Sequence, residues 1–288
     1  MPSEALRSYL KAGYNKFFIL PVEEMYRHVY RQVPASRATS HTLIYLTEGE
    51  AYMKIGSELF RIYKNEILFV PAGQIFSFEA YDTGKFNKGF ICNFHDDLLI
   101  SNYFKSELLK KFEFLQVWGN HYVSLKEETS GFVLQLLQRI FLDYSRFGLQ
   151  HLDLLQSNFI ALLFEINQVY EPLFLTKQTA AVNLTNKFKE ALFKNIKIKR
   201  LVTDYSTLLH VSPNHLNKVI KNVTSKSPTK WIDEVTILEA KVLLYQTDMS
   251  IAQVALSVGI EDQSYFSRIF KRQEGISPTE FRALIDKS

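Results

Sequence analysis

Two stretches near the C-terminus combine residue types suited to reading a polar, polyanionic partner. One offers Asn214, His215, Asn217, Lys218, Lys221 and Asn222; the other offers Gln263, Ser264, Ser267, Arg268, Lys271 and Arg272. Amides, hydroxyls, lysine and arginine are the groups that hydrogen-bond base edges and phosphates. Arg pairs with guanine and Asn or Gln with adenine in two-point geometry. Neither set contains Asp or Glu. A single basic helix face of this kind reads most simply as a solvated surface, but two at matching positions do not.

The elements that would present these residues are helices. An apolar triplet at i, i+3, i+4 accompanies each set: Leu216, Val219 and Ile220 in the first, Phe266, Ile269 and Phe270 in the second. The triplets mark the buried face and leave the polar residues outward. The two stretches are copies of one unit, because Leu216 to Lys221 lines up with Phe266 to Lys271, Ser227-Pro228-Thr229 with Ser277-Pro278-Thr279, and Trp231 with Phe281, each 50 residues apart.

Capping signals give the unit its grammar. Ser250 with Gln253, and Ser277-Pro278 with Glu280, have capping-box spacing. Gly259 is a left-handed stop and Asp262 caps the next helix. In the first copy Thr203 or Asp204 opens a helix, Ser212-Pro213 caps the next, and Ser227-Pro228 opens a long helix reaching about Tyr245. Helix, tight turn, helix is spelled out twice.

Charge follows the same division. Of 34 basic and 30 acidic residues, 18 and 19 fall in residues 1–180, leaving 16 and 11 in 181–288, so the two sections carry −1 and +5. The apolar share of 47% supports folded cores in both. A single cysteine, Cys92, excludes an internal disulfide framework and a cysteine zinc finger. It reads as a small buried apolar residue in a reducing compartment. No apolar run approaches the ~20 residues of a membrane span, and Met1 to Asn15 lacks the core of a secretion signal, so a soluble, cytoplasmic protein is expected.

Upstream, Thr39 to Phe94 reads as about six short strands split by Gly49-Glu50, Gly56-Ser57, Lys64-Asn65 and Pro71-Ala72-Gly73, the pattern of a small β-barrel or sandwich. Apolar residues then recur at helical spacing from Gly131 to Tyr170, as two helices meeting near Phe147-Gly148. Their apolar faces fit either packing on the β-module or a dimer seam. Glu171 to Val182 has no clear period and reads as a linker.

Residues 184–282 resemble the DNA-binding domain of AraC-type transcription regulators. The resemblance rests on Ser250-Ile-Ala-Gln-Val-Ala-Leu-Ser-Val-Gly259, Asp262-Gln-Ser-Tyr-Phe-Ser-Arg-Ile-Phe-Lys271 and Gly275-Ile-Ser-Pro-Thr-Glu-Phe-Arg282. Departures are Ser225 for a usual glycine, Ile220 and Ile260 for usual phenylalanines, and Thr236 for a common arginine. The resemblance implies two recognition helices entering successive major grooves of double-stranded DNA. Asn214, His215, Asn217, Lys218, Gln263, Ser264, Ser267 and Arg268 are then the expected base readers, with Lys221, Lys271 and Arg272 on phosphates. His215 reads equally as a surface imidazole.

The β-module is similar, more loosely, to the cupin-like sensing domain that precedes this DNA-binding domain in many family members. It lacks the clustered histidines of metal-dependent cupins: His41 stands alone and Phe76 sits where a ligand would follow Pro71-Ala-Gly73. No metal, cofactor or catalytic residue is expected. Tyr45, Tyr52, Phe69, Phe76 and Phe78 are the expected interior aromatics, as plain core or as an effector pocket. The whole is read as α+β: a cupin-like β-barrel with two flanking helices (1–170), a linker (171–182) and an all-α domain of two helix-turn-helix units joined by a long helix (183–288). The expected function is a dimeric transcription regulator, an activator by family habit, answering a small effector and contacting RNA polymerase. Two alternatives stand beside it: an effectorless regulator governed by a protein partner, and a metal-free cupin enzyme or binding protein with a vestigial DNA module. The segment Pro2 to Lys16 reads either as an arm over the pocket or as an unrelated short helix.

Overall fold

The computed structural model describes residues 17–28, 35–56, 58–80, 87–99, 111–117, 119–171 and 179–286. The arm at 2–16 and linker residues 172–178 lie outside the described residues.

Among the described residues, nine strands form two antiparallel sheets. One runs β1 (Phe17–Pro21), β8 (Lys88–Phe94), β3 (His41–Glu48), β6 (Glu66–Val70), β9 (Tyr122–Ser124). The other runs β2 (Ser36–Arg37), β7 (Ile75–Ala80), β4 (Glu50–Ile55), β5 (Glu58–Tyr63). This is a pair of separate sheets rather than a single closed barrel. A short helix, α1 (Val22–His28), follows β1.

Strand alternation sorts the side chains of β3 into two layers. Ile44 and Leu46 join Met53, Ile55, Ile62, Leu68, Val70 and Ile91 between the sheets. Leu43 and Tyr45 point the other way, with Phe69, Cys92 and Phe94, onto α2 (Glu127–Phe147) and α3 (Leu152–Val169). Those helices supply Val133, Leu137, Ile140, Phe159, Leu162 and Ile166 to that layer. A strand covered on both faces reads as a continuous apolar run, and His41 to Leu46 is buried throughout. Cys92 is fully buried in this layer, and desolvation pushes its thiol up. At Gly89 (φ +149°) a Cβ would lie 1.9 Å from the Tyr45 carbonyl oxygen, so only glycine lets β8 close on β3 there.

The expected interior aromatics whose side chains are described fall in different layers. Tyr45 and Phe69 belong to the helix-side core, where Phe69 stacks on Phe114 at 4.3 Å. Phe76 packs on the core between the sheets. Tyr52 is half-buried under the Arg61 guanidinium, 4.9 Å from its ring centroid. The side chain of Phe78 lies outside the described residues. Period-2 alternation and the two-layer architecture put Tyr45 and Phe69 on one face and Phe76 on another.

Seven helices follow: α4 (Ala180–Asn195), α5 (Val202–Leu208), α6 (Pro213–Thr224), α7 (Pro228–Gln246), α8 (Ile251–Ser257), α9 (Gln263–Glu274) and α10 (Pro278–Asp286). They enclose two cores. Phe188, Leu192, Tyr205, Leu216, Ile220, Ile232 and Val235 form the first; Ile237, Ala240, Leu244, Val254, Phe266, Ile269 and Phe270 form the second. Helix α7 serves both. It also turns Leu238 and Val242 toward Ala35 and Ile75 of the β-module, and Glu239 pairs with Arg37 there. The middle of α7, Val235 to Val242, is buried throughout, as expected of a helix packed on three sides.

Candidate nucleic-acid interface

Each copy of the repeat folds as a helix, a tight turn and a second helix whose polar face stays in solvent. In the first copy Asp204 at the third position of α5 accepts from the backbone N–H groups of Arg200 (3.1 Å) and Leu201 (2.9 Å). The turn closes with Val211 N–H donating to Ser206 O at 3.0 Å, and the second copy repeats it with Ile260 N–H to Ala255 O at 2.8 Å. His210 (φ +55°) holds the left-handed position that Gly259 (φ +77°) holds in the second copy. The repeat is therefore offset by 49 residues in the turn and by 50 in the helix beyond it.

Helices α6 and α9 start at caps the sequence announces. Ser212 Oγ accepts from His215 N–H at 3.2 Å with Pro213 in the first turn, and Asp262 accepts from Ser264 (2.7 Å) and Tyr265 (3.1 Å). Leu216 and Ile220 anchor α6 in its core, as Phe266, Ile269 and Phe270 anchor α9. Asn214, His215, Lys218 and Lys221 of α6 are exposed, as are Gln263, Ser264, Arg268, Lys271 and Arg272 of α9. Asn217 and Ser267, one helical position round, are half-buried, and Asn217 donates to Pro213 O at 3.1 Å.

Of the expected phosphate contacts, Arg272 is already engaged: its Nη2 pairs with Asp233 of α7 at 3.0 Å. Burial pushes the Asp233 carboxyl up, against the opposing pull of Arg272 and Arg200. Glu274 is held by Lys241 at 2.7 Å, so the acids nearest the end of α9 are tied to cations. Arg200 donates to Val258 O at 2.9 Å across the two units, and its Cδ lies 3.0 Å from where a Cβ on Gly259 would stand. Together with α7, these contacts fix one unit against the other.

Tyr265 was not singled out from its sequence position, yet it is 44% exposed on the recognition face, with the Arg268 guanidinium 5.9 Å from its ring centroid. The offset of 50 places it opposite His215, which is the signal that could have found it. The equally invisible Arg200 and Asp233 connect elements 58 and 39 residues apart, separations no local pattern reports.

On the β-module, His41 has both ring nitrogens engaged: Nε2 lies 2.8 Å from Asp96 Oδ1, Nδ1 accepts from Ala72 N–H at 3.1 Å, and the ring stacks on Phe94. Among the described residues no group of three or more His, Cys, Asp or Glu is placed to hold a metal ion, and no helix is long and apolar enough to cross a membrane.

Residues 205–284 match the model of a helix-turn-helix domain family. The chain is 26% identical over 263 residues to the uncharacterized HTH-type transcriptional regulator YisR of Bacillus subtilis, covering 85% of this chain and 86% of that one. It is 44% identical over 73 residues to the arabinose operon regulatory protein of Escherichia coli, a match spanning a quarter of each protein. Among solved structures, ToxT from Vibrio cholerae aligns over 95% of this chain and 99% of its own, at 12% identity and a TM-score of 0.48.

Proposed function

We propose that the chain carries an AraC-type DNA-binding domain and that its two units read one face of a duplex together through α6 and α9. The observation that carries this reading is the pair of exposed, acid-free helix faces at matching positions of a repeat, Asn214 to Lys221 and Gln263 to Lys271. Asn214, His215, Asn217 and Lys218 read bases from the first unit, and Gln263, Ser264, Ser267 and Arg268 from the second. Lys221 and Lys271, one turn further on, take phosphates. Arg272 joins them through the donors that Asp233 leaves open, since a guanidinium carries five.

The β-module acts as the regulatory part, and α2 with α3 as the homodimer seam. Phe132, Leu142, Phe147, Leu154 and Phe164 are the exposed apolar residues on those helices, and they support the seam. The protein works in the cytoplasm without catalysing a reaction, as an activator that contacts RNA polymerase and answers a small effector. An effector does so only by binding the DNA-competent arrangement better than the other.

The test is selection of duplexes from a random pool by the wild type and by Arg268→Ala. The loss of Arg268 costs about 1–3 kcal/mol at one base pair and relaxes selection there alone. An equal loss on every sequence removes Arg268 from the base readers.

A further inference from the structure

Between the β-module and the first helix-turn-helix unit lies a cavity of about 70 Å³. Three polar groups in its lining lack a hydrogen-bond or ion-pair partner among the described residues. Lys189 of α4 is only 8% exposed and has no carboxylate within ion-pair distance among the described residues; its ammonium lies 4.6 Å from the centroid of the Trp231 ring. His121 Nδ1 and Gln74 Oε1 are buried without a hydrogen-bond partner, in side chains 6% and 4% exposed. Phe60, Trp231 and Leu238 give the same cavity apolar wall.

Each unmet demand specifies something about an occupant. A buried ammonium without a counter-charge is costly, and a carboxylate relieves it. Of the two acids in the lining, Glu234 is paired with Lys226 at 3.0 Å, and Glu58, exposed to solvent, acts on Lys189 through space without reaching ion-pair distance, so the place in direct contact with Lys189 is left to a ligand. Gln74 Oε1 only accepts, so it calls for an O–H or N–H donor. Burial, with the charge of Lys189 adding to it, drives the His121 imidazole down to about 3, leaving it neutral near pH 7 and able to accept or donate. At ~12 Å³ for each water-sized group, the space takes about six non-hydrogen atoms.

We propose that this cavity binds a small hydroxy acid of the size of lactate, with its carboxylate on Lys189 and its hydroxyl shared between Gln74 and His121. The walls come from β4, β5, the β6–β7 turn, α4 and α7, so occupancy favours the arrangement in which the β-module sits on the DNA-binding unit. That consequence rests on the regulator reading; the binding itself does not.

The experiment is calorimetric titration of the full chain with L-lactate, with propionate, which lacks the hydroxyl, and with propane-1,2-diol, which lacks the carboxylate. Lactate binds saturably, propionate about tenfold more weakly, and the diol not at all. Lys189→Met abolishes lactate binding. Gln74→Leu, which keeps the ammonium, lowers lactate to the propionate level and leaves propionate unchanged, so the test survives if the first variant does not fold. Absence of saturable lactate binding in the wild type, equal binding of the diol, or unchanged binding in a folded Lys189→Met chain overturns the proposal and leaves the cavity to water. DNA binding is measured separately. A chain that binds DNA but not lactate refutes the site alone, and one that binds lactate but not DNA refutes the regulator reading alone.

Discussion

Replacing Lys221 and Lys271 together by glutamine should flatten the salt dependence of DNA binding without changing which sequence is preferred. Both side chains are exposed on the third turn of their helices, past the residues proposed to face base edges, and neither is in an ion pair among the described residues. Each is thus available to neutralise one phosphate. Counterion release gives a slope of about 0.9 in log affinity against log salt per phosphate neutralised, so losing two lowers the steepness by about 1.8. From 50 to 200 mM salt, a span of about 0.6 log units, that difference is about twelvefold: the variant loses about twelve times less affinity than the wild type over this range. Fluorescence anisotropy with a labelled duplex, on the selected site and on a scrambled one, reads both quantities. An unchanged slope would refute the assignment, as would a loss confined to the selected sequence, because a phosphate contact carries no base information.

Two further outcomes follow from the coordinates. Ser225 ends α6 at φ +59°, where the second unit has Gly275 at φ +79°, so Ser225→Gly should raise unfolding stability by about 1 kcal/mol in urea titrations; a loss of stability would show that the left-handed strain is not there to relieve. His121 is held near 3 against an ordinary value of 6.5, so the unfolded chain binds the extra proton first as pH falls. Its stabilising contribution is complete above about pH 6.5 and declines below it, by about 2 kcal/mol at pH 5, and His121→Gln should remove that part of the acid sensitivity. An identical pH profile in the variant would place the sensitivity elsewhere.

What the sequence discloses depends on the range of the interactions. The helix-turn-helix units are legible because their signals are local: Ser250 with Gln253 forms the expected reciprocal cap, at 2.8 and 3.2 Å, and Ser277 with Glu280 does the same at 2.7 and 3.2 Å. The exposure of Lys218 and Arg268 follows from triplets three and four residues apart. The N-terminal module is less legible. Alternation in β3 says that Ile44 and Tyr45 face opposite ways but not which way is inward, and with α2 and α3 covering one sheet both ways are. That is why Tyr45 and Phe69, reasonable as pocket residues by type, are core beneath helices. The third apolar face of α7 is silent for a different reason: Leu238 and Val242 need Ala35 and Ile75 to explain them, some 200 residues away in the chain. The proposed site around Lys189 escapes for the same cause, since its lining comes from two separate stretches, Ile55 to His121 and Lys189 to Leu238.

The central claim is that both units read DNA at once, held by α7 and the Arg200–Val258 contact. Methylation interference on the selected duplex tests it most directly, because methyl groups at guanine N7 block only what enters the major groove. Two clusters of interference about 10 base pairs apart on one face of the helix are expected, with interference at one guanine of the second lost in Arg268→Ala. A single cluster, or two on opposite faces, would contradict it.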